Sequence, residues 1–170
     1  MKEVINLQKK LKINFTDASI LQQALVHRSY LNEHPDLCLA HNERLEFLGD
    51  AVLELIVTEY LYEKFPQEQE GKLTNLRASL VNSVNLSQKA KNLRLDNYLF
   101  LSKGEAKDKN SKARENILAN TFEALIGAIY LDKGHKTTKK FIESVLVKDI
   151  PKILSQELYL DPKSKFQEFA

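Results

Sequence analysis

The sequence predicts an all-α domain. Apolar residues recur at helical spacing through most of the chain. Only five glycines and four prolines in 170 residues interrupt it. A hydrophobic content of 43% beside 28% charged residues describes a soluble globular chain, long enough for one domain with its own core.

Val4, Leu7 and Leu11 mark a short first helix. Asp17 can cap a second, with Ile20, Leu21, Ala24 and Leu25 inward and its end at Val26 to Tyr30. A loop around Pro35 leads to a long helix over His41 to Leu61, which stops at Phe65-Pro66 because proline cannot continue it. After a polar turn at Gln67 to Gly71, Leu73, Leu76, Leu80 and Val84 predict one more long helix, reaching Leu93. Asp96 to Glu115 is the least regular stretch. Ile117 to Leu131 is helical and apolar nearly all round, hence buried, with Gly134 as its C-cap. Thr138 to Ser155 closes the domain with Phe141, Val145 and Leu146 inward, and Pro151 is expected to kink or divide it.

The helix over His41 to Leu61 organises the chemistry. Leu45, Leu48, Val52, Leu55 and Ile56 form its apolar stripe. At roughly 100° per residue, Glu43, Glu46, Asp50 and Glu54 gather on another arc, in line with the apolar Val57 and Leu61. Carboxylates crowded against apolar surface repel one another and resist burial unless a cation compensates. In the buried helix, Asn120 and Glu123 are the strong oxygen donors, at a spacing that shares one face. Facing the two helices gives an oxygen cage of Glu46, Asp50, Asn120 and Glu123, suited to Mg²⁺ or Mn²⁺. Gly49 and Gly127 would let the two backbones approach closely.

Other features exclude more than they assign. A net charge of +2 permits a polyanionic partner without requiring one. The single cysteine, Cys38, rules out an internal disulfide framework and suits a reducing compartment. No stretch approaches the ~20 apolar residues of a membrane span and the start lacks a secretory pattern, so the expectation is a cytoplasmic protein. Lys103, Lys107, Lys109, Lys112 and Arg114 form a basic loop, diluted by acids, that could touch the phosphates of a polyanionic partner. His27 and His41 read as packed or capping residues.

Three motifs carry a family resemblance. Asn42-Glu-Arg-Leu-Glu-Phe-Leu-Gly-Asp-Ala-Val-Leu53 closely resembles the signature of the ribonuclease III family, Ala24 to Tyr30 its upstream segment, and Glu115 to Gly127 its second acidic motif. The resemblance implies a dimeric helical endonuclease domain over residues 1–155 that cuts double-stranded RNA, with 5′-phosphate and 3′-hydroxyl products from ribosomal, messenger and other structured precursors. It places Asp50 and Glu123 in catalytic positions, Glu46, Asn120 and Glu123 as ligands of Mg²⁺ (Mn²⁺ substituting), and Glu43 and Glu70 near the cleft. No nucleotide cofactor is expected. Phe47 projects beside Glu43 and Asp50, where only a two-fold partner could cover it, so it marks the expected homodimer interface.

Two departures follow. The family usually carries aspartate where this chain has Asn120, whose amide can ligate but brings no charge. That keeps open a non-catalytic RNA-binding or ribosome-associated member of the fold. Residues 156–170 resemble a linker and the start of a double-stranded-RNA-binding domain, with Phe166 and Phe169 as its first core positions, which suggests truncation. A di-iron bundle is disfavoured, because no glutamate of the two candidate helices is followed three residues later by histidine.

Overall fold

The computed structural model describes residues 2–155; the tail expected to begin another domain lies outside them. Among the described residues nine α-helices follow in chain order: α1 (Lys2–Leu11), α2 (Ala18–Ala24), α3 (Arg28–Glu33), α4 (Glu43–Lys64), α5 (Glu70–Val81), α6 (Ser83–Asn92), α7 (Lys103–Lys107), α8 (Lys112–Val145) and α9 (Ile150–Ser155). Short 3₁₀ turns lie at Leu95–Asn97 and Val147–Asp149. The only β-type pairing among the described residues is an isolated bridge between Val26 and Phe100.

The central pair is α4 against α8, with α2 and α6 also on α8 and α5 on α4. Leu53, Ile56, Val57 and Leu61 of α4 meet Leu118, Phe122, Leu125, Ile126 and Ile129 of α8 in one apolar core, completed by Leu7, Leu21, Leu76 and Leu86. Gly49 and Gly127 bring the two axes together. A Cβ on Gly49 would lie 1.8 Å from the Glu123 carbonyl oxygen, and one on Gly127 2.3 Å from that of Leu45.

The sequence expectations need four corrections. The second helix stops at Ala24, because Leu25 and His27 turn to hydrogen-bond Phe100; a new helix, α3, then starts at Arg28 with His27 as its cap. The expected long helix over Leu73 to Leu93 is two. Asn82 leaves helical geometry, its amide donates to the Ala78 and Ser79 carbonyls, and its Oδ1 accepts from Asn85 N–H, so one side chain ends α5 and starts α6. Val84 therefore lies on the first turn of a new helix and is 67% exposed. Leu55, assigned inward, is 53% exposed, since α4 buries the arc through Leu53, Ile56 and Val57. The final division falls at Leu146 to Asp149, ahead of Pro151, which sits in the first turn of α9 where its missing N–H costs nothing. Gly134 does interrupt the long helix as expected, with φ 72° and ψ 178°, a conformation open to glycine.

Candidate functional site

The carboxylates meet where α4 crosses α8. Glu46 and Asp50 are one turn apart on α4, and Glu123 of α8 faces them. Glu123 is pushed up to about 8, first by burial and then by the charges of Asp50 and Glu46. Glu46 is raised as well, by burial, then by Glu43 and Asp50, and is partly relieved by a hydrogen bond to the Asn120 side chain. No lysine, arginine or histidine pairs with Glu46, Asp50 or Glu123 among the described residues. Glu46 and Glu123 thus share a partly desolvated corner, with Asp50 exposed at its edge and no cationic side chain paired to any of the three among the described residues.

Glu43 sits at the edge of this group. Its carboxylate leans toward Arg28 at 3.4 Å and His41 at 3.8 Å, so part of its charge is already met. An open cleft beside it is lined by His27, Arg28, Glu105, Asn116 and Asn120. His27 is no free ligand: its Nδ1 accepts the Ser29 N–H at 3.3 Å, which needs a neutral ring, and burial lowers its pKa accordingly. Glu70 is not brought to the cluster. It lies at the start of α5, accepts from the Thr74 hydroxyl at 2.8 Å, and lines a separate groove with Thr58, Tyr62 and Arg77. Phe47 is 82% exposed, above a hollow lined by His41, Leu48 and Leu131.

The donor set fits a hard divalent cation: carboxylate and amide oxygens, buried in part, with excess negative charge. Among the described residues no three His, Cys, Asp or Glu side chains yet converge on one point as ligands would.

The basic loop is not one surface. Lys103, Lys107, Lys109 and Lys112 are exposed, whereas Arg114 is buried. Sequence spacing did not reveal that difference, because Arg114 already belongs to the first turn of α8 and turns toward the body of the domain.

Comparison with known proteins extends the geometry. A family model described as Ribonuclease-III-like matches residues 17–150. Ribonuclease 3 of Enterococcus faecalis is 48% identical over 95% of this chain and 70% of its own length. Ribonuclease 3 of Streptococcus gordonii is 45% identical over 99% of this chain and 72% of its own. Among solved structures, the nuclease domain of ribonuclease III from Campylobacter jejuni is 37% identical with a TM-score of 0.75, covering 89% of this chain and 98% of that one. A second structure of that domain concerns flexibility in a region involved in its dimer formation.

Proposed function

The chain belongs to the ribonuclease III family and is an endoribonuclease of that type, and on this premise we propose that it hydrolyses double-stranded RNA with a divalent metal at the Glu46, Asp50 and Glu123 cluster. The observation that carries the reading is the half-buried Glu123, held near two like charges with no cationic side chain paired to it among the described residues. That arrangement is unfavourable for a structural carboxylate and useful for a metal ligand.

Glu46, Asn120 and Glu123 would hold Mg²⁺, with Mn²⁺ able to substitute. The bound ion would supply activation of water and stabilisation of the charge developing on the departing 3′ oxygen. Glu123 must release its proton to become a ligand, so ion binding and proton release are coupled at neutral pH. Asp50, which is exposed, would orient water and accept its proton. The Asn120 amide, whose proximity eases the charge on Glu46, would keep that carboxylate directed at the ion. Products would carry 5′-phosphate and 3′-hydroxyl ends, and substrates would be ribosomal, messenger and other structured precursors. A duplex suits a chain without base-reading motifs, since A-form RNA is recognised by shape and 2′-hydroxyls. A cytoplasmic homodimer without nucleotide cofactor completes the reading; no described helix is long and apolar enough to cross a membrane.

The direct test is a long RNA duplex incubated with and without Mg²⁺. Short duplexes bearing 5′-phosphates are expected only with the metal; an intact duplex under both conditions, with Mn²⁺ also failing, would overturn the proposal. Asn120→Asp should lower the Mg²⁺ needed for half-maximal cleavage by restoring a fourth charge, with a smaller effect at saturation. Asn120→Ala should need more metal than either. Superimposable Mg²⁺ curves for asparagine and aspartate would remove position 120 from the ligand set.

Assembly has its own test. An exposed phenylalanine of this size favours apolar cover from a partner. Sedimentation is expected to show a dimer at micromolar concentration, shifted toward monomer by Phe47→Asp. A monomeric wild type would refute it.

A further inference from the structure

The buried Arg114 has no part in the carboxylate site. It is 7% exposed, its Nη1 is fully enclosed without a hydrogen-bond partner, and its guanidinium makes no ion pair or hydrogen bond among the described residues. The nearest acidic candidates are committed elsewhere. Asp108 accepts from Asn110 N–H, Ser111 N–H and the Ser111 hydroxyl, and Glu115 leans to Lys91 at 3.9 Å. A guanidinium removed from water is costly unless charge compensates it; Asp108 lies close enough to feel its charge, but that carboxylate is taken up by three other donors and nothing reaches Nη1.

Arg114 lines a pocket of about 460 Å³ whose polar wall is Lys91, Asp96, Asn97, Lys109 and Asn110 and whose remaining wall is apolar. Arg114 and Lys109 against Asp96 leave a positive lining, Lys91 being shared with Glu115, and two amides add neutral donors. Arginine's planar fork matches the paired oxygens of an oxyanion. We propose that this pocket is a binding site for a phosphate-class oxyanion, separate from the catalytic cluster. The separation follows from the helix: nine residues from Arg114 to Glu123 turn roughly half a revolution and advance about 13 Å, so the two sites open on opposite faces of α8. The anion would join α6, the 3₁₀ turn at Leu95–Asn97 and the start of α8.

The inference stands apart from the endonuclease reading and is tested without catalysis. In EDTA, inorganic phosphate is titrated at constant ionic strength against chloride, and ³¹P line broadening and melting temperature are followed. Saturable binding is expected, weakened at least about tenfold by Arg114→Gln, weakened less by Lys109→Ala, and unchanged by Glu123→Gln. Equal affinity in Arg114→Gln, or a response no different from chloride, overturns the site. Should Arg114→Gln fail to fold, the exposed Lys109→Ala and Asn110→Ala decide, and unchanged affinity in both overturns it. A short RNA duplex without terminal phosphates identifies the natural source. Displacement of phosphate by the duplex points to strand phosphodiesters, and its absence to free phosphate or a phosphate monoester.

Discussion

Glu123→Gln is expected to abolish cleavage and, in the metal-free protein above neutral pH, to raise the melting temperature. The loss of cleavage, on the order of a thousandfold or more, would follow from removing the charged ligand proposed at the centre of the site. The gain in stability follows from linkage. Glu123 has a folded pKa of about 8 against an ordinary 4.5, so the folded state holds a proton that the unfolded state has already released between those values. Stability is therefore full below about pH 4.5 and is lost as pH rises through about 8. Allowing for screening at a partly exposed group, the loss is about 2 kcal/mol by pH 9. Glutamine cannot ionise and avoids it, which corresponds to a gain of roughly 4–8 °C at pH 9 and almost none at pH 4.5. Thermal melts in EDTA at the two pH values measure this. A variant less stable than wild type at both would mean that Glu123 serves the fold. Asp50→Ala should likewise eliminate cleavage with helicity intact; because burial is the leading cause of the Glu123 shift, that shift should shrink but persist.

The sequence made the acidic cluster legible for a simple reason: oxygen donors at helical spacing on two helices leave a pattern that any fold bringing the helices together must bring into one place. Glu46, Asp50, Asn120 and Glu123 do come to one corner. Local periodicity was less informative where one side chain decides the path. The Asn82 double cap turns one expected helix into two and brings Val84 to the surface. The apolar spacing from Leu73 to Val84 contains no sign of it. Leu55 illustrates a related limit. It lies next to the buried arc of α4 on a helical wheel, and only the positions of α5 and α8 decide that the arc ends at Ile56. Arg114 fails for a third reason: a basic residue among lysines reads as surface, and its burial is a property of how α8 begins.

Gly49→Ala is expected to be the most damaging single methyl that can be added to this chain. The new Cβ would stand 1.8 Å from the Glu123 carbonyl oxygen and 2.9 Å from the Gly127 nitrogen, both backbone atoms that no rotamer change can move aside. Alanine gains about 1 kcal/mol in helix propensity over glycine. Forcing two packed helices apart by an ångström or more exceeds that gain, with a net loss of about 3 kcal/mol or more. For a domain of this size the melting temperature should fall by roughly 6–12 °C. Gly71, also helical but with open space around its Cα, provides the contrast: Gly71→Ala should leave stability unchanged or raise it by up to about 1 kcal/mol. The clash also has a catalytic consequence. The oxygen it strikes belongs to Glu123 itself, so separating the helices moves Glu123 and Asn120 away from Glu46 and Asp50. Misplacement by about an ångström can cost on the order of a hundredfold in rate. Cleavage by Gly49→Ala should therefore fall far more than its folded fraction when measured well below its melting temperature. A variant that melts lower yet cuts at the wild-type rate per folded molecule would show that the helix crossing supports the fold without setting the geometry of the site.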